Sequence, residues 1–277
     1  MRVCLVYDCL FPHTVGGAER WYRNLAERLS ADGHEVTYVT LRQWPRGADP
    51  GVPGVRVVAA GPRLGLYTRT GRRRIGPPLV FGLGVLAHLA RRGGRYDVVH
   101  TASFPYFSLL AAGLVRRFRG FRLVVDWHEL WTREYWRDYL GRAGWVGWRV
   151  QRACARIPQR AFCFSRLHAE RLRGEGVRGE VTVLEGEYAG SETQGRVEPY
   201  VDSDLVVFAG RHIPEKRVPA LVPALAALPD LRAEIYGDGP ERGRVLALIE
   251  EHGLAERVTA PGFVAHARVD AALRSAL

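Results

Sequence analysis

The sequence predicts an α/β protein of two doubly wound, parallel-sheet domains, the second of them incomplete. Two observations carry this reading. Valine-rich runs of strand length alternate with longer segments of helical period, and the alternation is interrupted once, by a polar stretch, before it resumes. A length of 277 residues suits two domains better than one. An apolar content of 47% is enough for two cores and excludes a chain that is disordered throughout.

VCLVYD (3–8) reads as a buried strand. A helix follows within 16–34, where Trp21, Leu25, Ala26 and Leu29 recur at helical spacing and Gly33 marks the stop. Strands are expected at 35–41, 55–60, 96–100 and 122–128, with a helix over 105–118 between the last two. Strands at 161–165 and 181–184 close the first set. PPLVFGLGVLAHLA (77–90) is shorter than the roughly 18 residues of a membrane span, is broken by glycine and carries His88, so it reads as a buried or interfacial helix. EGEYAGSETQGRVEPYVDS (185–203) is polar and aperiodic. The organisation is therefore a first domain over 1–187, a linker over 188–203 and a second domain over 204–277. In the second domain a strand at 204–210, a helix at 217–228, a strand at 231–237, a helix at 241–253, a short strand within 257–264 and a last helical stretch are expected. About three strands is half of what a closed doubly wound domain carries.

The net charge of +11 is uneven. Residues 1–199 hold 31 arginines and 18 acids, whereas residues 200–277 hold 9 basic and 11 acidic groups. The first part is thus expected to face something anionic. The densest run is PRLGLYTRTGRRR (62–74), and its Arg69, Arg72, Arg73 and Arg74 suit an anionic lipid or lipid-linked acceptor. Charge is the only feature pointing to nucleic acid, and no binding motif accompanies it, so no nucleic-acid partner is expected. The four cysteines form no CxxC pair and show no metal-ligand spacing, which fits a reduced, cytoplasmic setting. The opening MRVCLVYDCLFPH has too short an apolar run for a signal peptide.

FAGRHIPEKRVPAL (208–221) contains Lys216, the single lysine beside 39 arginines. A lysine is a compact point charge on a flexible stem, where arginine is a planar fork. Both Arg211 and Lys216 lie on a loop from strand to helix, the edge at which open α/β sheets bind ligands, so the pair suits a diphosphate clamp. YGDGP (236–240) is a second strand–turn–helix junction, where Gly237 and Gly239 allow close backbone approach. Alone, such a turn is weak evidence, and an ordinary strand-to-helix turn is the better explanation of those two glycines.

GRHIPEKR, YGDGPER and PGFV, in this order, resemble the donor-binding half of family 4 glycosyltransferases of the GT-B fold. FPHTVGGAERWYRNLAERLSADGHEVTYVT is similar to the opening of that family's acceptor domain, and the resemblance spans essentially the whole chain. It implies two Rossmann-like domains and transfer of a sugar from a nucleotide-diphosphate sugar with retention, in the synthesis of cell-envelope glycans or glycolipids. No cofactor and no metal are implied; DSD (202–204), the one Asp-x-Asp, falls in the linker. The resemblance assigns the donor diphosphate to Arg211 and Lys216, with Gly16 and Gly17 facing the phosphates across the interdomain cleft and Gly237 and Gly239 lining the donor side. In DWHELW (126–131) it makes His128 the residue that orients the sugar or acceptor, with Asp126 and Glu129 as neighbours. His100 and Ser103 are weaker candidates from the same edge, and Tyr7 and Asp8 read as structural. The chain departs from the family pattern at VLEGEYAG (183–190), where Asn-Gly is common, and the family's two glutamates eight positions apart would fall beyond Leu277. A truncated remnant that binds a nucleotide or a partner without transfer is therefore the second reading. Its place would be cytoplasmic or peripheral on the inner face of the cell membrane.

Overall fold

Parallel strands with both faces covered need near-continuous apolar runs, and β1 (Arg2–Val6), β2 (Glu35–Thr40), β4 (Val98–Ala102) and β5 (Arg122–Trp127) supply them. With β3 (Arg56–Ala59), β6 (Arg160–Cys163) and β7 (Val181–Val183) they form a seven-stranded sheet in the order β3-β2-β1-β4-β5-β6-β7. Every pairing in it is parallel. The strand order reverses between β1 and β4, so the carboxyl ends of these two strands flank the crevice where such sheets hold ligands. This computed structural model describes residues 1–68, 73–184 and 203–276. The chain divides into two compact units, Met1–Leu66 with Arg74–Ser191, and Tyr67–Arg73 with Glu192–Leu277. The expected linker at 188–203 lies outside the described residues apart from Ser203, and so do Arg69 and Arg72 of the basic loop.

The helices of the first unit are α1 (Gly17–Ala31), α2 (Gly76–Arg92), α3 (Tyr106–Arg119), α4 (Arg133–Leu140), α5 (Gly144–Ala155) and α6 (Arg166–Gly174). The glycines that interrupt the apolar run of α2 have packing reasons. A Cβ on Gly84 would meet the carbonyl oxygen of Ala60 at 1.6 Å, and one on Gly82 would meet Cβ of Phe107 at 2.5 Å. Phe81, Val85 and Leu89 of α2 are buried, while Leu79 and Leu83 face outward. Among the described residues no helix is long and apolar enough to cross a membrane. All four cysteines are buried free thiols.

The helical hairpin of α4 and α5 is not expected from the sequence, because its glycines and tryptophans obscure the period. What fixes it is one buried amide. Oε1 of Gln151 accepts from the Tyr106 hydroxyl (2.9 Å), Trp136 Nε1 (3.2 Å) and the Trp131 amide (3.1 Å), and Nε2 donates to the Trp131 carbonyl (2.9 Å). Replacing Gln151 by leucine strands these groups away from water. Thermal unfolding of Gln151→Leu should show a loss of about 2 kcal/mol, a fall in Tm of roughly 4–8 °C. An unchanged Tm would mean that water reaches them.

In the second unit β8 (Leu205–Ala209), β9 (Arg232–Tyr236) and β10 (Val258–Gly262) form a parallel sheet in the order β10-β9-β8. Its core is Val218, Val222, Leu225, Ala233, Ile235, Val245, Ile249, Leu254, Val258 and Ala260. The helix expected over 217–228 is shorter. Two 3₁₀ turns, Pro214–Lys216 and Val218–Ala220, precede α7 (Leu221–Ala226). Arg217 between them is left-handed (φ 49°), and Pro214, Pro219 and Pro223 lack the amide that a continuous helix would use. The helices α8 (Arg242–Glu251) and α9 (His266–Arg274) complete the unit.

Candidate functional site

At the carboxyl edge of the seven-stranded sheet, register places Ala102 of β4 beside Asp126 of β5. The Asp126 carboxylate is buried at the centre of a polar knot. Its Oδ2 accepts from Trp21 Nε1 of α1 at 3.0 Å, and its Oδ1 lies 2.9 Å from His100 Nε2. Burial pushes the carboxyl up, but His100, then His128 and Trp21, pull harder and hold it below the usual carboxylate range. Asp126 is therefore an anion at neutral pH. The backbone serves the same edge, since the Ser103 amide donates to the Asp126 carbonyl at 2.8 Å.

His128 follows β5 directly. Its ring stacks on Phe164 (4.5 Å between centroids, 14° between planes) and meets Tyr22 edge-on at 6.2 Å. Burial pushes the imidazole pKa down, and the nearby Asp126 and Glu129 only partly offset this, so the ring is neutral near pH 7. Its Nε2 is buried and has no hydrogen-bond partner among the described residues. The Glu129 carboxylate is engaged elsewhere, accepting from Trp131 Nε1 at 2.7 Å.

Gly16 and Gly17 begin α1, and only one of them is demanded by its neighbours. A Cβ on Gly16 would come within 2.2 Å of Glu19 Oε2, so glycine there makes room for the buried Glu19 carboxylate at the third helical position. Around Gly17 nothing lies within 4 Å of that position, which leaves open space beside its backbone. Tyr7 stacks on Tyr22 at 4.7 Å, and the Asp8 carbonyl accepts from Gln43 Nε2 at 2.7 Å.

In the second unit the loop after β8 is sewn to the loop after β9. The Gly210 amide donates to Tyr236 (3.1 Å), the His212 amide to Asp238 (2.8 Å), and the Glu241 amide returns to the His212 carbonyl (3.0 Å). Gly237 (φ 112°) and Gly239 (φ 152°) make this approach possible. A Cβ on them would meet the carbonyl oxygens of Gly210 and His212 at 2.0 and 2.5 Å. The packing of two loops therefore accounts for both glycines. His212 is fully buried between the loops, and neither ring nitrogen has a partner among the described residues. Desolvation lowers its pKa. Arg211 and Lys216 project from this braced loop and are exposed, and neither pairs with a carboxylate among the described residues. Of the basic segment, Arg73 lies over the Tyr67 ring at 5.8 Å, and the Arg74 amide donates to Leu66 at 2.9 Å.

The first unit thus brings together His100, Ser103, Asp126 and His128, all of them legible in the sequence. Sequence reasoning missed Trp21 and Tyr22. The spacing puts Trp21 on an apolar face, and only its indole N–H, a donor that needs a partner when buried, could have signalled otherwise. Among the described residues no group of three or more His, Cys, Asp or Glu side chains is placed to hold a metal ion.

Comparison with known proteins agrees with this architecture. The chain is 27% identical over 286 residues to a phosphatidylinositol N-acetylglucosaminyltransferase subunit of Arabidopsis thaliana, covering 99% of this chain and 60% of that protein. It is 26% identical over 314 residues to the MMP alpha-(1->4)-mannosyltransferase of Mycolicibacterium hassiacum, covering all of this chain and 74% of that one. The crystal structure of Anabaena HepE in complex with UDP shares the fold, with a TM-score of 0.62 at 17% identity over 96% of this chain and 70% of that one. Residues 15–185 match the family description Glycosyltransferase Family 4 and residues 191–277 match Glycosyl transferases group 1. The chain therefore belongs to the family 4 glycosyltransferases of the GT-B fold.

Proposed function

We propose that this chain binds a nucleoside-diphosphate sugar and transfers its glycosyl group to an acceptor hydroxyl in glycan or glycolipid synthesis. The bond between the anomeric carbon and the diphosphate oxygen breaks, the nucleoside diphosphate leaves, and the acceptor oxygen bonds to that carbon as its proton is lost. The observation that carries the reading is the braced loop after β8, with two exposed cations, Arg211 and Lys216, on a short segment; among the described residues neither pairs with a carboxylate, and Arg211 lies over the Tyr67 ring at 5.6 Å. Negative charge builds on the diphosphate as the bond breaks. Fixed cations there stabilise the transition state more than the bound donor. The relatives named above support the donor class: two are named as glycosyltransferases and one was crystallised with UDP.

In this reading the neutral His128 turns its unpartnered Nε2 to a sugar hydroxyl, and the open backbone beside Gly17 admits a phosphate. Transfer proceeds with retention and without an obligatory metal. The arginines of 69–74 suit an anionic, lipid-linked acceptor at the inner face of the cell membrane. The test is to incubate the chain with a panel of nucleotide sugars and acceptors and to measure released nucleoside diphosphate. With the productive donor, His128→Ala should lower kcat about 100-fold or more while KM for the donor shifts little. Release from no donor of the panel would remove the proposal, and an unchanged kcat would remove His128 from it.

A further inference from the structure

A parallel sheet gathers every strand start and every helix end at one edge, opposite its ligand-binding edge. In the first unit those positions are arginine with unusual frequency. Arg2, Arg56, Arg122 and Arg160 open β1, β3, β5 and β6, while Arg116, Arg117 and Arg119 close α3 and Arg152 and Arg156 close α5. Between α3, α5 and the starts of β5 and β6 this edge holds an open pocket of about 690 Å³. Leu110, Leu114, Phe121, Ile157 and Pro158 give it an apolar floor, and five arginines, Arg116, Arg117, Arg122, Arg156 and Arg178, surround it. Among the described residues no Asp or Glu lines it or the adjoining hollow that extends to Arg160.

Arginines at helix ends have an ordinary purpose, to meet the last carbonyls and the negative pole of the helix. Arg116 instead braces the connections beyond the two helices, donating to the Phe121 and Pro158 carbonyls. The negative pole of a helix amounts to about half an elementary charge, so α3 and α5 together offset about one of the five positive charges. Arg117, Arg122, Arg156 and Arg178 are exposed and pair with no carboxylate among the described residues, and the neighbouring Glu180 and Glu175 are taken by Arg160 and Arg152. Like charges crowded in this way repel one another. A guanidinium cluster with no counter-charge among the described residues is suited to an external one, and phosphate matches the guanidinium fork in geometry.

We propose that this pocket is a second anion site, separate from the transfer site, and that it takes a phosphate-bearing ligand with an apolar body. The phosphates lie among the arginine forks and the apolar part lies on the Leu110–Leu114–Ile157 floor. Concavity distinguishes the place from a plain basic surface, and its volume falls in the range of small-ligand pockets. A soluble phosphometabolite and an anionic lipid headgroup share this chemistry. The inference does not rest on the proposed donor loop, which belongs to the other unit.

Two probes test it. Inorganic pyrophosphate is titrated by calorimetry into the full chain and into Arg211→Ala/Lys216→Ala, where the donor loop gives no signal. Vesicles of phosphatidylcholine with one part in four phosphatidylglycerol are compared with pure phosphatidylcholine by co-sedimentation. At least one anionic probe should bind, more weakly as salt rises. Its affinity should fall at least tenfold in Arg117→Ala/Arg156→Ala/Arg178→Ala, whose side chains are exposed and form no ion pair among the described residues. Removing three exposed arginines elsewhere, Arg28→Ala/Arg142→Ala/Arg244→Ala, should change it less than twofold. Pyrophosphate binding without vesicle binding identifies a soluble ligand, and the reverse identifies a lipid headgroup. If neither probe binds, or if the two triple variants weaken binding equally, the proposal is wrong.

Discussion

Asp126→Ala is expected to destabilise the first unit by about 4 kcal/mol, which is a fall in Tm of roughly 8–16 °C. The carboxylate is buried and charged, and two elements from distant parts of the sequence lean on it. The Trp21 indole N–H ties α1 to it at 3.0 Å, and His100 Nε2 approaches from β4 at 2.9 Å. Truncation leaves both groups in a dry environment without their acceptor. Asp126→Asn keeps the shape and one oxygen but no charge, so a loss of about half that size is expected. The pH dependence separates charge from shape. Because the folded carboxyl lies below its ordinary value of 3.8, its stabilisation is fully present above that value and disappears as pH falls through the lower folded one. The gap in unfolding free energy between the wild type and Asp126→Asn should therefore shrink as pH falls below about 4. A gap that does not change with pH would show that the carboxylate's charge contributes nothing to the fold. Under the proposed function the variant should also lower turnover, since Trp21 sits in the helix whose first turn carries Gly17, and His128 is the next residue but one in the chain.

How far such a site can be read from sequence depends on whether its parts are local. Strand–loop–helix junctions are local, so the loops carrying His128, Arg211 and Lys216 could be placed from valine runs and turn residues alone. The parallel order of the sheet was legible for the same reason. The Trp21–Asp126 contact joins residues 105 positions apart and leaves no local trace. The same is true of Gln151, one polar side chain in a tryptophan-rich stretch that fixes an unforeseen helical hairpin. Gly237 and Gly239 were legible as tight turns, but their closest neighbours are the carbonyls of another loop, which no single stretch reveals. Charge shows the difference most clearly. The run at 62–74 stands out because its arginines are close together in the chain. The larger set at the amino edge of the first sheet is scattered as single residues at strand starts and helix ends, and only the parallel topology gathers it.

Lys216→Ala should weaken binding of the nucleoside diphosphate about 10- to 50-fold without changing thermal stability by more than about 0.5 kcal/mol. The stability half of this rests on exposure, since the side chain is exposed and makes no ion pair among the described residues. The binding half follows from the rigidity of its loop. The amides of Lys216 and Arg217 close turns onto Ile213 (3.0 Å) and Pro214 (3.1 Å), and the Gly210–His212 end is tied to the loop after β9. A cation on such a frame needs little ordering when a diphosphate arrives, so more of its attraction appears as affinity. Arg211→Ala should act in the same direction. If both side chains hold one diphosphate, the double variant should lose less than the product of the two single effects, because each single loss already disorders the shared ligand. Lys216→Arg distinguishes the chemistry of the position. A requirement for charge alone would restore affinity fully, whereas a requirement for a compact ammonium would restore it in part, with kcat recovering less than binding because the leaving diphosphate gains charge only in the transition state. Calorimetry with UDP and GDP across a salt series measures the wild type and all four variants. Unmoved affinity in both single variants, with the wild type still binding, would place the donor's phosphates away from this loop.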